Sequence, residues 1–215
     1  VVIYFHRQLW ELIRSLFCWG RNLQSESNRQ NRTLILYLIY ATLTTGLFYL
    51  IFEDRLKSAY QNPMLVALLI GITGLVIFIS DYVKNTSIPA SNLGFFKAVI
   101  IGLAQGCAIL PGISRSGSTI ATSLFMGMRR KDIAHFSFIL SIPAILGANV
   151  SEFSKLKSLD ATELHVYIAG FIAAFISGYI VIAFLIRLIQ TGQLKYFAFY
   201  CWFISSLSVT LLVLL

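Results

Sequence analysis

The sequence predicts an all-α, polytopic integral membrane protein, and three observations carry that prediction. Of the 215 residues, 57% are hydrophobic and 12% charged, with a mean hydropathy of +0.78, whereas soluble domains carry about 25% charged residues. Uncharged apolar runs recur at the length of a bilayer crossing: Leu34 to Phe52, Met64 to Ser80, Ile133 to Ser151, Val166 to Ile186 and Tyr196 to Leu215. A hydrocarbon core of about 30 Å takes about 20 helical residues, so five full spans are expected. Between the second and third runs lie two shorter ones of 13 residues each, Ala98 to Leu110 and Ser116 to Met128, separated by Pro111-Gly112-Ile113-Ser114-Arg115.

The elements follow in order. In residues 1–19, the apolar "VVIYF" meets Arg7 at once and reads as the last turns of a span begun upstream, followed by a membrane-edge helix. It has no n-region, h-region or cleavage site of a signal peptide. Residues 20–33, including "RNLQSESNRQNR", are polar and read as a cytoplasmic loop, and 34–93 hold two spans. Residues 94–131 read as a re-entrant helical hairpin, because 13 residues rise only about 20 Å. Non-helical backbone at membrane depth survives only against protein or a water-filled cavity, so the hairpin tip should line a cavity. Residues 132–215 supply three more spans, and the whole of 1–215 reads as one membrane domain.

Charge placement supports the hairpin independently. If it enters and leaves on one face, that face collects Arg7, Arg14, Arg21, Arg29, Arg32, Lys84, Lys97, Arg129, Arg130, Lys131, Arg187 and Lys195. The opposite loops hold Arg55, Lys57, Lys155 and Lys157 beside Glu53, Asp54, Glu152, Asp160 and Glu163. Positive-inside bias then puts the basic face in the cytoplasm. The net charge of +8 is accounted for by orientation and anionic lipid, and gives no reason to expect nucleic acid as a partner.

Cys18, Cys107 and Cys201 are odd in number and widely spaced in apolar surroundings, as suits small core residues. His6, His135 and His165 lack ligand spacing. The stretch around Arg115 also excludes three phosphate chemistries. Gly112 and Gly117 have P-loop spacing, but Ser118 stands where the Lys belongs and no strand precedes. Cys107 lies eight residues before Arg115, too far for a Cys-based phosphatase, and no His follows Ser114-Arg115 until His135.

The remaining chemistry is an anion cradle. Pro111 and Gly112 end one half-helix, and Ser116 to Thr119 open the next, whose free amides and positive dipole end point at the break. Helix N-termini bind phosphate for those reasons, and Arg115 offers a planar fork to phosphate oxygens. Ser114, Ser116, Ser118 and Thr119 add hydroxyls, and Ser114 is also a candidate nucleophile. The packing alternative has the hydroxyls merely capping the half-helix and Arg115 paired with an acid elsewhere. A charge at membrane depth is costly, which favours function.

The stretch "GLAQGCAILPGISRSGSTIATSLFMG" followed by "AHFSFILSIPAILGA" resembles the undecaprenyl-diphosphate phosphatase family of the bacitracin-resistance type. A P-G-x-S-R-S-G-x-T pattern is met at Pro111, Gly112, Ser114, Arg115, Ser116, Gly117 and Thr119. An F-S-F-x-L-x-x-P pattern is met at Phe136, Ser137, Phe138, Leu140 and Pro143. The resemblance implies an inverted-repeat fold with two re-entrant hairpins, of which this chain holds one half. It implies removal of one phosphate from a C55 polyprenyl diphosphate in the bacterial inner membrane, recycling the lipid carrier for peptidoglycan synthesis. In that reading Arg115 and Ser114 are catalytic, while Gly112, Ser116, Gly117, Ser118 and Thr119 bind phosphate. The family's E-x-x-x-E and P-I-S-S-S-G-H segments are not found here, since Glu11, Glu26, Glu53, Glu152 and Glu163 include no pair four apart. The divalent cation, Mg²⁺ or Ca²⁺, is therefore expected on ligands outside this chain, and these residues alone are expected to be inactive. A homodimer is one way to cover the face meant for the other hairpin. Broken half-helices aimed at an anion are also transporter architecture, so a prenyl-phosphate transporter or flippase is the alternative.

Overall fold

A computed structural model describes residues 1–17, 25–152 and 161–214. The described residues form α1 (His6–Phe17), α2 (Glu26–Ala59), α3 (Pro63–Asp81), α4 (Phe95–Cys107), α5 (Arg115–Phe125), α6 (Arg130–Glu152), α7 (Ala161–Thr191) and α8 (Lys195–Leu214), with a 3-10 turn at Ala90–Asn92. The all-α class holds. The one extended pairing among these residues is a single bridge between Ile88 and Met128.

Among the described residues, four helices are long and apolar enough to cross a bilayer: α2, α3, the His165–Thr191 part of α7, and α8. The fifth expected span, Ile133 to Ser151, falls in α6, which is not among them. It opens on Arg130, Lys131 and Asp132, and His135, Ser137, Ser141, Pro143 and Asn149 dilute its apolar character. Its first half is buried, at Ile133, Ala134, Phe136 and Leu140, while Ile145 and Leu146 further along are exposed. The expected loop 20–33 is helical from Glu26 onward, so α2 runs 34 residues. Arg21, Cys18, Lys155, Lys157 and Asp160 lie outside the described residues.

Lipid tails are as apolar as Leu, so membrane helices associate through close approach of small residues and interhelical hydrogen bonds. Both devices operate here. Gly102 of α4 lies so near α2 that a Cβ there would come 2.4 Å from the Ala41 carbonyl oxygen. Beside it, Thr45 donates to the Gly102 carbonyl at 2.9 Å and accepts from Gln105 Nε2 at 3.2 Å. On α8, Trp202 Nε1 donates to the Gly71 carbonyl at 3.1 Å and Ser205 Oγ to that of Ala67 at 2.7 Å, locking α8 to α3.

One end of the bundle gathers the basic residues. The Ile88 amide donates to Gly127 and the Arg129 amide to Ile88, at 3.0 and 2.9 Å, so the chain entering α4 touches the chain leaving α5. Arg130 bonds the Asp81 carboxylate and the carbonyls of Asp81, Val83 and Ile189, while Asp81 Oδ2 accepts from the Lys195 amide. The ends of α3 and α5, the starts of α4 and α6, and the α7–α8 turn thus meet. Gln8 and Glu11 of α1 and Gln30 of α2 share a cavity of about 390 Å³ with Arg129 and Lys131, bringing the first two helices to the same end.

Candidate functional site

Two local rules break the hairpin. Proline has no amide to continue a helix, and Pro111 follows the end of α4. Gly112 takes φ +91°, where a side chain is strained, and a Cβ there would sit 2.4 Å from the Val66 carbonyl oxygen. Helix α5 then restarts with Ser114 as its N-cap: Ser114 Oγ accepts from the Gly117 amide at 3.1 Å. Gly117 keeps this cap tight against α3, since a Cβ would lie 2.8 Å from Ile77 Cδ1 and 3.0 Å from Ser114 Oγ.

Thr73 of α3 braces the break from outside. Its hydroxyl donates to the Gly112 carbonyl at 3.2 Å and accepts from the Ser114 amide at 3.3 Å, spanning both sides of the turn. Tyr60, after the end of α2, donates to the Ile109 carbonyl at 3.1 Å. Val66 and Thr73 lie about 4.5 and 15 Å from the Pro63 end of α3 at 1.5 Å per residue. The tip therefore sits within the length of a spanning helix, nearer the end opposite the basic one.

Arg115 is half-buried at the first position of α5. Among the described residues its side chain makes no ion pair or hydrogen bond; the ion pairs there are Arg130–Asp81, Arg129–Asp132 and Lys57–Glu53. The first turn of α5 contains no acid. A cation at a helix N-terminus faces the positive end of the dipole, so the guanidinium and the helix end repel one another unless an anion lies between them.

The hydroxyls do not converge on one point. Ser114 and Ser116 line a cleft of about 30 Å³ between α5 and the α7–α8 pair, with Leu185 and Phe197 on its other wall. Ser118 lines a separate cavity of about 200 Å³ with Thr73, Cys107 and Ile113. Thr119 is buried and turned inward, bonded to Ser137 Oγ of α6 at 2.5 Å and to the carbonyls of Arg115 and Ser116. The Gly117 and Ser118 amides are already used by Ser114, leaving those of Arg115 and Ser116 as the first-turn donors. No His, Asp or Glu among the described residues hydrogen-bonds Ser114. His135 instead pairs with Gln8 Oε1 at 2.6 Å.

Thr73 is the residue that sequence reasoning missed. Its signal was a lone hydroxyl between Gly71 and Gly74 in an otherwise apolar run.

The fold and the site define a polytopic helical membrane protein with a broken hairpin, whose tip sets an arginine, unpaired among the described residues, on a helix N-terminus. The chain belongs to the bacitracin resistance protein BacA family, whose sequence profile matches residues 1–207. It is 40% identical over 81% of its length to an undecaprenyl-diphosphatase of Methanobrevibacter smithii, covering 63% of that protein. It is 40% identical over 85% of its length to one of Alkaliphilus metalliredigens, covering 67%. It is 33% identical over 96% of its length to undecaprenyl-diphosphatase 1 of Shouchella clausii, covering 76%. The chain thus spans about two thirds of the first two relatives.

Proposed function

We propose that this protein hydrolyses undecaprenyl diphosphate to undecaprenyl phosphate and inorganic phosphate, returning the C55 carrier to peptidoglycan synthesis and giving bacitracin resistance. The observation that carries the reading is Arg115: a half-buried guanidinium without a partner among the described residues, on a helix end that also seeks an anion. The names of the relatives favour hydrolysis over transport.

In the reaction, water attacks the terminal phosphorus, the bond to the bridging oxygen breaks, and the electron pair stays on that oxygen. Charge therefore builds on the oxygens, and stabilising it is the main task of the protein. Arg115 would clamp the diphosphate with its fork, and the amides of Arg115 and Ser116 would face the developing charge. Ser114 and Ser116 would donate from the cleft. Without a base beside it, Ser114 acts as donor rather than nucleophile. Gly112 and Gly117 shape the backbone, and Thr119 holds α5 against α6, with Ser118 on the second cavity.

No group of three His, Cys, Asp or Glu able to hold a metal occurs among the described residues. They do not fit the Mg²⁺ or Ca²⁺ that the family resemblance implies, so the cation would enter on other carboxylates, and no step above runs through it. We place the protein in the bacterial inner membrane with its basic end in the cytoplasm. A homodimer is the proposed cover for the exposed face of α7.

The test is phosphate release from undecaprenyl diphosphate in detergent with added Mg²⁺ or Ca²⁺, alongside lipid movement in sealed vesicles. It is run on this chain, expected to be inactive alone, and on a version joined to the E-x-x-x-E and P-I-S-S-S-G-H segments that the family resemblance implies, in which the Arg115 variants are read. An interaction made in the transition state is worth about 2.7 to 4 kcal/mol, so Arg115→Lys and Arg115→Ala should lose about 100- to 1,000-fold in rate. Wild-type turnover in both variants, or movement without release, would overturn the reading.

A further inference from the structure

A second polar site lies at the basic end. There the end of α3, the start of α6 and the α7–α8 turn enclose a cavity of about 430 Å³, lined by Asp81, Tyr82, Lys84, Arg130, Thr191 and Lys195 among others. Its charges do not balance. The one carboxylate, Asp81, has 4% of its side chain exposed and is consumed by Arg130 and by the Lys195 amide. Arg130 in turn is spent on Asp81 and on three backbone carbonyls, which leaves the walls rigid. Lys84 and Lys195 have no acidic partner among the described residues; the ammonium of Lys195 sits 5.7 Å from the Tyr196 ring centre. Two lysines without an acidic partner among the described residues therefore line a pocket whose single acid is already neutralised.

The surroundings determine what kind of anion fits. The cavity lies where two neighbouring spans terminate, α3 at Asp81 and α8 at Lys195. Tyr82 and Tyr196 are exposed there, as tyrosines are at a membrane–water interface. Along the adjoining helix surfaces, Ile79, Phe199 and Phe203 are exposed apolar side chains. A cationic pocket with an apolar track leading from it matches an amphiphile with a negative head and hydrocarbon tails. Asp81 is eight residues beyond Thr73, about 12 Å along α3, so this pocket is distinct from the hairpin tip. We propose that it is a binding site for an anionic glycerophospholipid. The headgroup phosphate lies between Lys84 and Lys195, and the acyl chains run along Ile79, Phe199 and Phe203. The occupant bridges α3 to the α7–α8 turn and fixes the end of the bundle from which the hairpin enters.

The experiment compares the purified protein in neutral detergent with added phosphatidylglycerol, phosphatidylcholine or inorganic phosphate, reading lipid retained by native mass spectrometry and the thermal midpoint. Lys84→Gln with Lys195→Gln is the test variant. Arg29→Gln with Lys131→Gln, at the same end and with the same loss of charge, is the control. Phosphatidylglycerol should be retained and should raise the midpoint above that in phosphatidylcholine. The test variant should bind it about 30-fold more weakly, as expected for two basic contacts near a membrane surface, while the control keeps the effect. Equal loss in both variants would show a diffuse charge effect. Retention in the test variant, or the same midpoint rise with inorganic phosphate alone, would equally overturn the proposal. If the test variant does not fold, displacement of bound phosphatidylglycerol from wild-type protein by excess phosphatidylcholine replaces it, and ready displacement would refute a specific site.

Discussion

Lys97, in the first turn of α4, donates a hydrogen bond to the carbonyl of Met126, one residue past the end of α5, at 3.0 Å. A segment that crossed the bilayer once would hold these two points about 30 Å apart. Their contact, with the Ile88 backbone bonded to Gly127 and Arg129 beside it, makes the hairpin a returning one.

Accessibility should follow. In a cysteine-free background, Asn92→Cys and Lys131→Cys, both exposed, should react with a membrane-impermeant thiol reagent from the same side, and Lys57→Cys from the other. Labelling of the first two from opposite sides would mean that α4 or α5 crosses.

Gly112→Ala should be destabilising. Backbone strain at φ +91° costs about 1 to 2 kcal/mol by itself, and the Val66 carbonyl at 2.4 Å must also move. Gly147→Ala on α6, where a Cβ meets nothing within 4 Å, is the control and should leave the midpoint in detergent unchanged or raised. Equal midpoints for the two variants would refute the strained turn.

Thr73→Val keeps the shape and removes the hydroxyl, leaving the Ser114 amide and Gly112 carbonyl short of a partner. The cost should be about 1 to 2 kcal/mol, and Thr73→Ser should restore most of it. The Ser114 amide should also exchange its hydrogen faster in the Val variant. If Val and Ser behave alike in both measurements, Thr73 does not brace the break.

Asp81→Ala should cost about 3 to 5 kcal/mol, because it strands a largely buried Arg130 and uncaps α8 at the Lys195 amide. Glu53→Ala, in the exposed pair with Lys57, should leave the thermal midpoint where it is. A small effect at Asp81 would show that the three carbonyls bonded to Arg130 hold that corner without the carboxylate.

Much of this was legible along the chain. The apolar runs, the break at Pro111-Gly112 and the asymmetry of Lys and Arg are one-dimensional signals, because span length, helix termination and topology depend on neighbouring residues and simple counts. They led to the expectation of a hairpin at residues 94–131 with Ser114-Arg115 at its turn. The same reasoning expected about five full spans; α6 is not among the four described helices long and apolar enough to cross, and it buries its first half while exposing Ile145 and Leu146, a division that hydropathy along the chain cannot show.

By itself, then, the sequence determined the class, and it led to the expectation of a re-entrant pair entered from the basic end with the motif at its turn. The tertiary structure alone decided how those residues face. A helix turns about 100° per residue, so Ser116 and Ser118 open on different cavities while Thr119 turns inward to Ser137. It also decided which partners are missing or supplied from afar. Among the described residues Arg115 stands without an acid, since their ion pairs join Lys57 to Glu53, Arg129 to Asp132 and Arg130 to Asp81, and the turn is held by Thr73, some forty residues before it. Rotation about a helix axis and contacts between distant segments are set by packing, and no local pattern encodes them.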